Sequence, residues 1–250
     1  MKISGNTILI TGGATGIGFA LAEAFVHAGN EVIVCGRRES KLIEAKRKLP
    51  DIQIRICDVS KEAERKSLYQ WGTTSFPALN VLINNAGIQR TIDFHQGIAD
   101  LLSGEAEIEI NLTALIHLSA YFIPHLSKRK DAAIINVSSG LGFIPLAIMP
   151  VYCATKAAVH SFSLSLRHQL KATSIRVFEI IPPTVDTELD KGARADRRQT
   201  DRGIPPSEVA QATLNAIETE QYEVAVGRAE GLRLAAQTDP QQAFDRMNRR

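Results

Sequence analysis

Three side chains in the second half of the chain have the types and spacing to move a proton. Ser139 ends the run Asn136-Val137-Ser138-Ser139, and thirteen residues on, Tyr152 and Lys156 stand four apart in Tyr152-Cys153-Ala154-Thr155-Lys156. A spacing of four places a phenol and an ammonium on one face of a helix. A phenol ordinarily keeps its proton to about pH 10, and a neighbouring cation favours the phenolate. The pair therefore suits acid/base chemistry on a carbonyl or alcohol oxygen, with the Ser139 hydroxyl at a strand end orienting that oxygen. Taken singly, Ser139 reads as a turn cap, Tyr152 as a half-buried aromatic and Lys156 as a solvated side chain. The catalytic reading depends on a source of hydride elsewhere in the chain.

That source is suggested near the beginning. The β-rich run Thr7 to Thr11 leads directly into Gly12-Gly13-Ala14-Thr15-Gly16-Ile17-Gly18, after which an amphipathic pattern runs from Ile17 to Ala28. Glycines suit positions where φ is positive or a Cβ would block a pyrophosphate, and the helix that follows aims its first amides at the anion. Gly12, Gly16 and Gly18 are spaced GxxxGxG rather than the commoner GxGxxG. At the end of the second expected strand stands Gly36-Arg37-Arg38. An acidic residue there would accept from a ribose 2′-hydroxyl, whereas Arg37 and Arg38 offer bidentate donors to a 2′-phosphate, so NADP(H) is favoured and NAD(H) stays possible. Asp58 and Val59 are placed to meet an adenine, although Asp58 serves equally as a helix cap. Asn85, Ala86 and Gly87 follow the fourth strand, where ligands bind in parallel sheets.

These groups need a scaffold, and the pattern supplies one. Apolar, β-branched runs at Thr7–Thr11, Glu31–Cys35, Gln53–Cys57, Val81–Asn84, Ala133–Val137, Arg176–Ile181 and Glu223–Val226 alternate with helical stretches. The longer helices are expected at Glu39–Leu49, Lys61–Thr74, Glu105–His125, Val151–Leu170 and Pro206–Thr219. This is the signature of an α/β fold: a single doubly wound Rossmann-type domain over residues 1–250, with a mainly parallel sheet of about seven strands. Residues 182–205 are polar and rich in proline, and are expected to form a substrate-binding loop or lid; residues 231–250 read as a peripheral C-terminal segment. The apolar stretch with Leu141 and Phe143, together with Leu189, suggests a substrate with an apolar body, and core packing explains several of these residues equally well.

Composition narrows the partners. A formal charge of +2 over 250 residues implies neither nucleic acid nor an anionic membrane, and no apolar run approaches a membrane span. Three unevenly spaced cysteines without CxxC argue against a disulfide framework or structural zinc. With no signal-like segment before the first strand, a cytoplasmic setting is expected. No GxSxG elbow, HExxH or compact His/Asp cluster supports hydrolysis or metal chemistry, so no metal is expected. A non-catalytic NADP(H)-binding sensor on the same fold is the rival that remains.

The motifs in this order, TGxxxGxG at Thr11 to Gly18, NNAG at Asn84 to Gly87, Asn111, Ser139 and YxxxK at Tyr152 to Lys156, resemble the short-chain dehydrogenase/reductase family. Within it, the segments Val151 to Lys156, Glu179 to Pro183 and Asp239 to Asn248 resemble bacterial DltE-like oxidoreductases. The resemblance implies hydride exchange with a small carbonyl or alcohol substrate and a homodimer or homotetramer. It implies a fourth catalytic residue, Asn111, which bends its helix and holds a water linking the lysine to solvent. It implies further cofactor contacts at Pro182, Val185 and Thr187. Where the family usually has Pro-Gly this chain has Pro182-Pro183, which removes a backbone donor at the pocket floor.

Overall fold

The computed structural model describes residues 1–190 and 202–249. Seven strands, β1 (Thr7–Thr11), β2 (Glu31–Gly36), β3 (Gln53–Ile56), β4 (Val81–Asn84), β5 (Ala132–Val137), β6 (Ile175–Ile181) and β7 (Glu223–Ala225), form one sheet in the order β3-β2-β1-β4-β5-β6-β7. Every pairing is parallel. The residues of β1, β4 and β5 are buried without exception, as strands covered on both faces must be.

The strand period of two sorts these side chains between two cores. Ile8 and Ile10, with Val32 and Val34, face one layer made by α1 (Gly16–His27), α2 (Glu39–Lys48) and α7 (Pro206–Thr219), through Phe25, Leu42 and Val209. Leu9, Ile33 and Leu82 face the other, made by α3 (Glu62–Ser75), α5 (Ala114–Leu126) and α6 (Pro150–Gln169), through Leu68, Phe122 and Leu166. The sheet order reverses at β1, whose neighbours are β2 and β4, so a crevice opens beyond the C-terminal ends of these strands. The glycine turn leaves β1 at that point.

Two elements depart from expectation. The helix expected from Glu105 starts at Glu107 and passes through a π-helical turn, Glu109–Thr113, before α5. Ahead of it stands a short helix, α4 (Ile98–Leu102), in a stretch that carries no clear sequence pattern. After β7 the chain forms α8 (Arg228–Thr238) and α9 (Pro240–Met247). The Asn248 side chain accepts from the Ala147 amide at 2.6 Å and donates to the Pro145 carbonyl at 3.1 Å, which ties the C-terminal segment to the loop before α6. Of the expected loop at 182–205, the part from 191 to 201 lies outside the described residues. Its two ends are stitched together, with Ile204 donating to the Thr184 carbonyl at 3.0 Å and Asp186 to the Ile204 carbonyl at 2.9 Å.

Candidate active site

A cavity of about 880 Å³ occupies the crevice at the C-terminal ends of the strands. Its walls bring together Thr15, Gly16 and Ile17 after β1, Arg37 and Arg38 after β2, and Asp58 and Val59 after β3. Asn85, Ala86 and Gly87 follow from β4, Ser139 and Leu141 from β5, Tyr152 and Lys156 from α6, and Pro182, Val185, Thr187 and Leu189 from the segment after β6. Gly12 also lines it.

The turn after β1 is built by close approach. Gly12 has φ +64°, and a Cβ there would lie 2.9 Å from Ala86 Cα. A Cβ on Gly18 would lie 2.3 Å from the Gly12 carbonyl oxygen and 2.5 Å from Asn85 Nδ2. Gly13 and Gly18 thus stand behind the cavity wall: Gly13 backs onto Val34, and Gly18 lets the first turn of α1 close on Gly12. Asn85 braces the same turn, its amide nitrogen donating to the Thr11 and Gly12 carbonyls at 3.0 and 3.2 Å. Thr11 Oγ1 accepts from the Asn85 and Ala86 amides, both at 3.0 Å. The first turn of α1 holds no acidic residue, and Thr15 makes no side-chain cap, so the helix start is compatible with an anion. These features fit a dinucleotide.

Three cations, Arg37, Arg38 and Lys41, gather on the cavity wall after β2. Arg38 donates to Glu188 Oε2 at 3.1 Å and to Thr15 Oγ1 at 3.3 Å, and Arg37 pairs with Glu105 at 2.7 Å. Lys41, which the sequence reading missed, lines the cavity beside them and pairs with Glu188 at 3.4 Å. Its place three residues after Arg38, one helical turn on, was the available signal. A Cβ on Gly36 would meet nothing within 4 Å, so the position has room for a side chain. Asp58 accepts from the Ser60 amide and hydroxyl at 3.0 and 2.7 Å. Burial pushes its carboxyl upward, but these bonds, with Lys61 and Arg37 nearby, hold it below the ordinary range.

At the other end Tyr152 and Ser139 are buried, at 5% and 7% exposure, and both line the cavity. Lys156 Nζ lies 5.7 Å from the centre of the Tyr152 ring and donates to the Val137 carbonyl at 2.9 Å. Burial pushes the Lys156 ammonium down to about 8, against an upward pull from the negative Glu179. Asn111 is not on the cavity wall but behind it, inside the π-helical turn. Its Oδ1 accepts from the Ile88 amide at 2.8 Å, and its Nδ2 donates to the Ile88 carbonyl at 2.9 Å and to Thr155 Oγ1 at 3.2 Å. It therefore ties the segment after β4 to the helix of Tyr152 and Lys156.

Phe143 does not line the cavity; its ring packs against His160 with centroids 4.7 Å apart, so the expected substrate contact is corrected to a packing contact. The C-terminal segment instead contributes Leu232 and Met247 to the wall, and Gln89, Leu146 and Met149 join them. Nothing local in the sequence marked Leu232 or Met247. Among the described residues, one group has metal-ligand types together: His160, Glu179 and Glu223, with ligand atoms within 4.8 Å of one another. The three cysteines are free and buried. No helix among the described residues is long and apolar enough to cross a membrane. On the helices that hold Asn111 and Tyr152, Leu115, Leu118 and Leu166 are buried and Leu164 is 43% exposed.

Comparison with known proteins accords with this geometry. The family profile described as short chain dehydrogenase matches residues 6–198. A Bacillus subtilis (strain 168) protein named uncharacterized oxidoreductase DltE is 51% identical over 248 residues, covering 99% of this chain and 98% of its own length. An Escherichia coli (strain K12) protein named NADP-dependent 3-hydroxy acid dehydrogenase YdfG is 32% identical over 215 residues, covering 82% and 86%. The crystal structure of a short chain dehydrogenase from Burkholderia cenocepacia J2315 in complex with NADP aligns with a TM-score of 0.84 at 25% identity, covering all of both chains.

Proposed function

This chain belongs to the short-chain dehydrogenase/reductase family of NAD(P)-dependent oxidoreductases, and from that premise we propose that it uses NADP(H) to interconvert a carbonyl and an alcohol on a small molecule. The observation that carries the proposal is that Ser139, Tyr152 and Lys156 open onto the same cavity as the glycine turn. Bound there, the cofactor supplies or accepts the hydride.

The residues of the chain supply the rest. Gly12, Thr15, Gly16 and Ile17, with the first amides of α1, hold the pyrophosphate. Arg37, Arg38 and Lys41 take the 2′-phosphate, and Asp58 and Val59 border the adenine. Asn85 to Gly87, Pro182, Val185 and Thr187 enclose the remaining length. Tyr152 gives its proton to the carbonyl oxygen in reduction and takes it back in oxidation, while the Ser139 hydroxyl donates to the same oxygen. Lys156, charged below pH about 8, lowers the cost of the phenolate. Asn111 fixes the helix that presents both side chains. Leu141, Leu146, Met149 and Leu189 give the substrate an apolar wall. Support for NADP(H) comes from the three cations and from the names of the E. coli and Burkholderia proteins. We further propose a single domain in which the described parts of segment 182–205, among them Thr187 and Leu189, border the substrate, acting in the cytoplasm as a homodimer or homotetramer.

The test is fluorescence titration with NADPH and NADH, then a panel of ketones, aldehydes and sugars in the same samples. NADPH binding with oxidation by a panel member is expected, and Tyr152→Phe should abolish turnover while binding NADPH as before. An active Tyr152→Phe enzyme would refute the assignment; binding without turnover across a broad panel would favour a sensor.

A further inference from the structure

Behind the catalytic face lies a charged group that the cavity does not reach. Glu179, in the middle of β6, is fully buried, a position where an aliphatic side chain would carry no desolvation cost. Its two oxygens are both engaged. Ser138 Oγ donates to Oε1 at 2.5 Å, and His160 Nδ1 donates to Oε2 at 2.8 Å. Each partner adjoins the catalytic set: Ser138 precedes Ser139, Val137 before it accepts from Lys156 Nζ, and His160 is one helical turn beyond Lys156 on α6.

We propose that Glu179 is a positioning residue for the reaction, its carboxylate keeping the Lys156 ammonium charged while fastening α6 to the end of β5, and that His160 sets the net charge Lys156 senses by gaining or losing a proton. This rests on the assignment of Lys156 given above. When His160 is protonated the pair is neutral and Lys156 loses the support of the anion. When His160 is neutral the pair carries one negative charge. The groups facing His160 are Glu179 on β6, Glu223 on β7, Arg167 on its own helix and the Phe143 ring. Arg233 on α8 lies 3.7 Å from Glu223 and partly cancels it. The bond to Glu179 raises the His160 pKa above its ordinary value, with burial opposing. His160, Glu179 and Glu223 could be taken for metal ligands, but hydrogen bonds already turn Glu179 onto Ser138 and His160, and an arginine sits by Glu223.

Three variants separate charge from scaffolding. Glu179→Gln removes the charge and keeps the shape; His160→Arg makes the pair permanently neutral; His160→Gln keeps a neutral donor. Lys156 is titrated directly by NMR of carbon-labelled lysine, its signal assigned by its loss in Lys156→Arg, and the alkaline limb of kcat is measured beside it. In Glu179→Gln and His160→Arg the Lys156 midpoint and the limb are expected to fall by about one pH unit. In His160→Gln they stay in place or rise. A midpoint common to all four proteins, or a fall in His160→Gln as well, would overturn the proposal. If Glu179→Gln does not fold, the two His160 variants still decide. The NMR titration needs no turnover, so an inactive wild-type protein would sink the reductase reading and leave this one to be judged by the midpoint.

Discussion

On the NADP(H) reading proposed above, Arg38 should govern cofactor choice, and its surroundings set the size of the effect expected. Its guanidinium is half-exposed, at 51%, and paired with Glu188 and Thr15. Gripping a 2′-phosphate therefore exchanges one charge-assisted bond for another. Such a bond is worth about 1.5–3 kcal/mol where an ionised group takes part. Solvent screening and the lost Glu188 pair reduce the gain to about 1–2 kcal/mol, or roughly 5–30-fold in Kd. Arg38→Ala should weaken NADPH by that factor and leave NADH within about threefold. Gly36→Asp should act in the same direction by a different route, because the open space at Gly36 accepts a carboxylate that repels a phosphate and accepts from a free 2′-hydroxyl. Combined, the two changes should invert the preference. The assay is fluorescence titration of each variant with both cofactors at two salt concentrations, since a phosphate contact of this exposure weakens as salt screens it. Equal losses for NADPH and NADH in Arg38→Ala would refute the reasoning and show that Arg38 supports the glycine turn through Thr15 instead.

Other consequences follow from the same geometry. Gly18→Ala places a Cβ 2.3 Å from a backbone oxygen, so thermal denaturation should show a loss of about 1–3 kcal/mol and titration a loss of cofactor binding, with Gly36→Ala as an unaffected control. Asn111→Ala strands the Ile88 amide and carbonyl behind the cavity; urea unfolding should register about 2–4 kcal/mol, and retention of full stability would show that water replaces the side chain. Lys156 is charged below about pH 8 and neutral above it, so turnover should fall as pH rises through that value. Its folded pKa lies below the unfolded value of 10.5, so the charged side chain costs stability up to about pH 8, and the cost is relieved between there and 10.5. Lys156→Met should accordingly abolish turnover without lowering the melting temperature at neutral pH; a large drop would mean that the bond to Val137 is structural.

The parts of this molecule that were legible in its sequence are those written in short-range periods. The strands β1 and β4 match the expected bounds to the residue, because Thr7–Thr11 lies between Asn6 and Gly12 and Val81–Asn84 between Asn80 and Asn85. The helix α7 was placed as well, from Pro206 at its start. The spacing of Tyr152 and Lys156 is a helical period, and the glycine turn is a local backbone requirement. By contrast, α4 is short, with Ile98 and Leu102 65% and 73% exposed, and an element without a buried face leaves no amphipathic signature.

What stayed illegible is the electrostatic wiring between distant segments. Arg37 and Arg38 could be read as phosphate ligands from their position after β2, yet nothing near them announced Glu105 and Glu188, which reach them from distant segments. Asn248 and Ala147 meet in the same way, 101 residues apart. Glu179 is the sharpest case. A charged residue inside a buried strand violates the apolar pattern of β6, and its partners Ser138 and His160 come from β5's end and α6, each unremarkable alone. A break in pattern at a strand facing the catalytic helix is thus itself a signal: burial there is costly enough that the exception is worth testing for a role in setting charge.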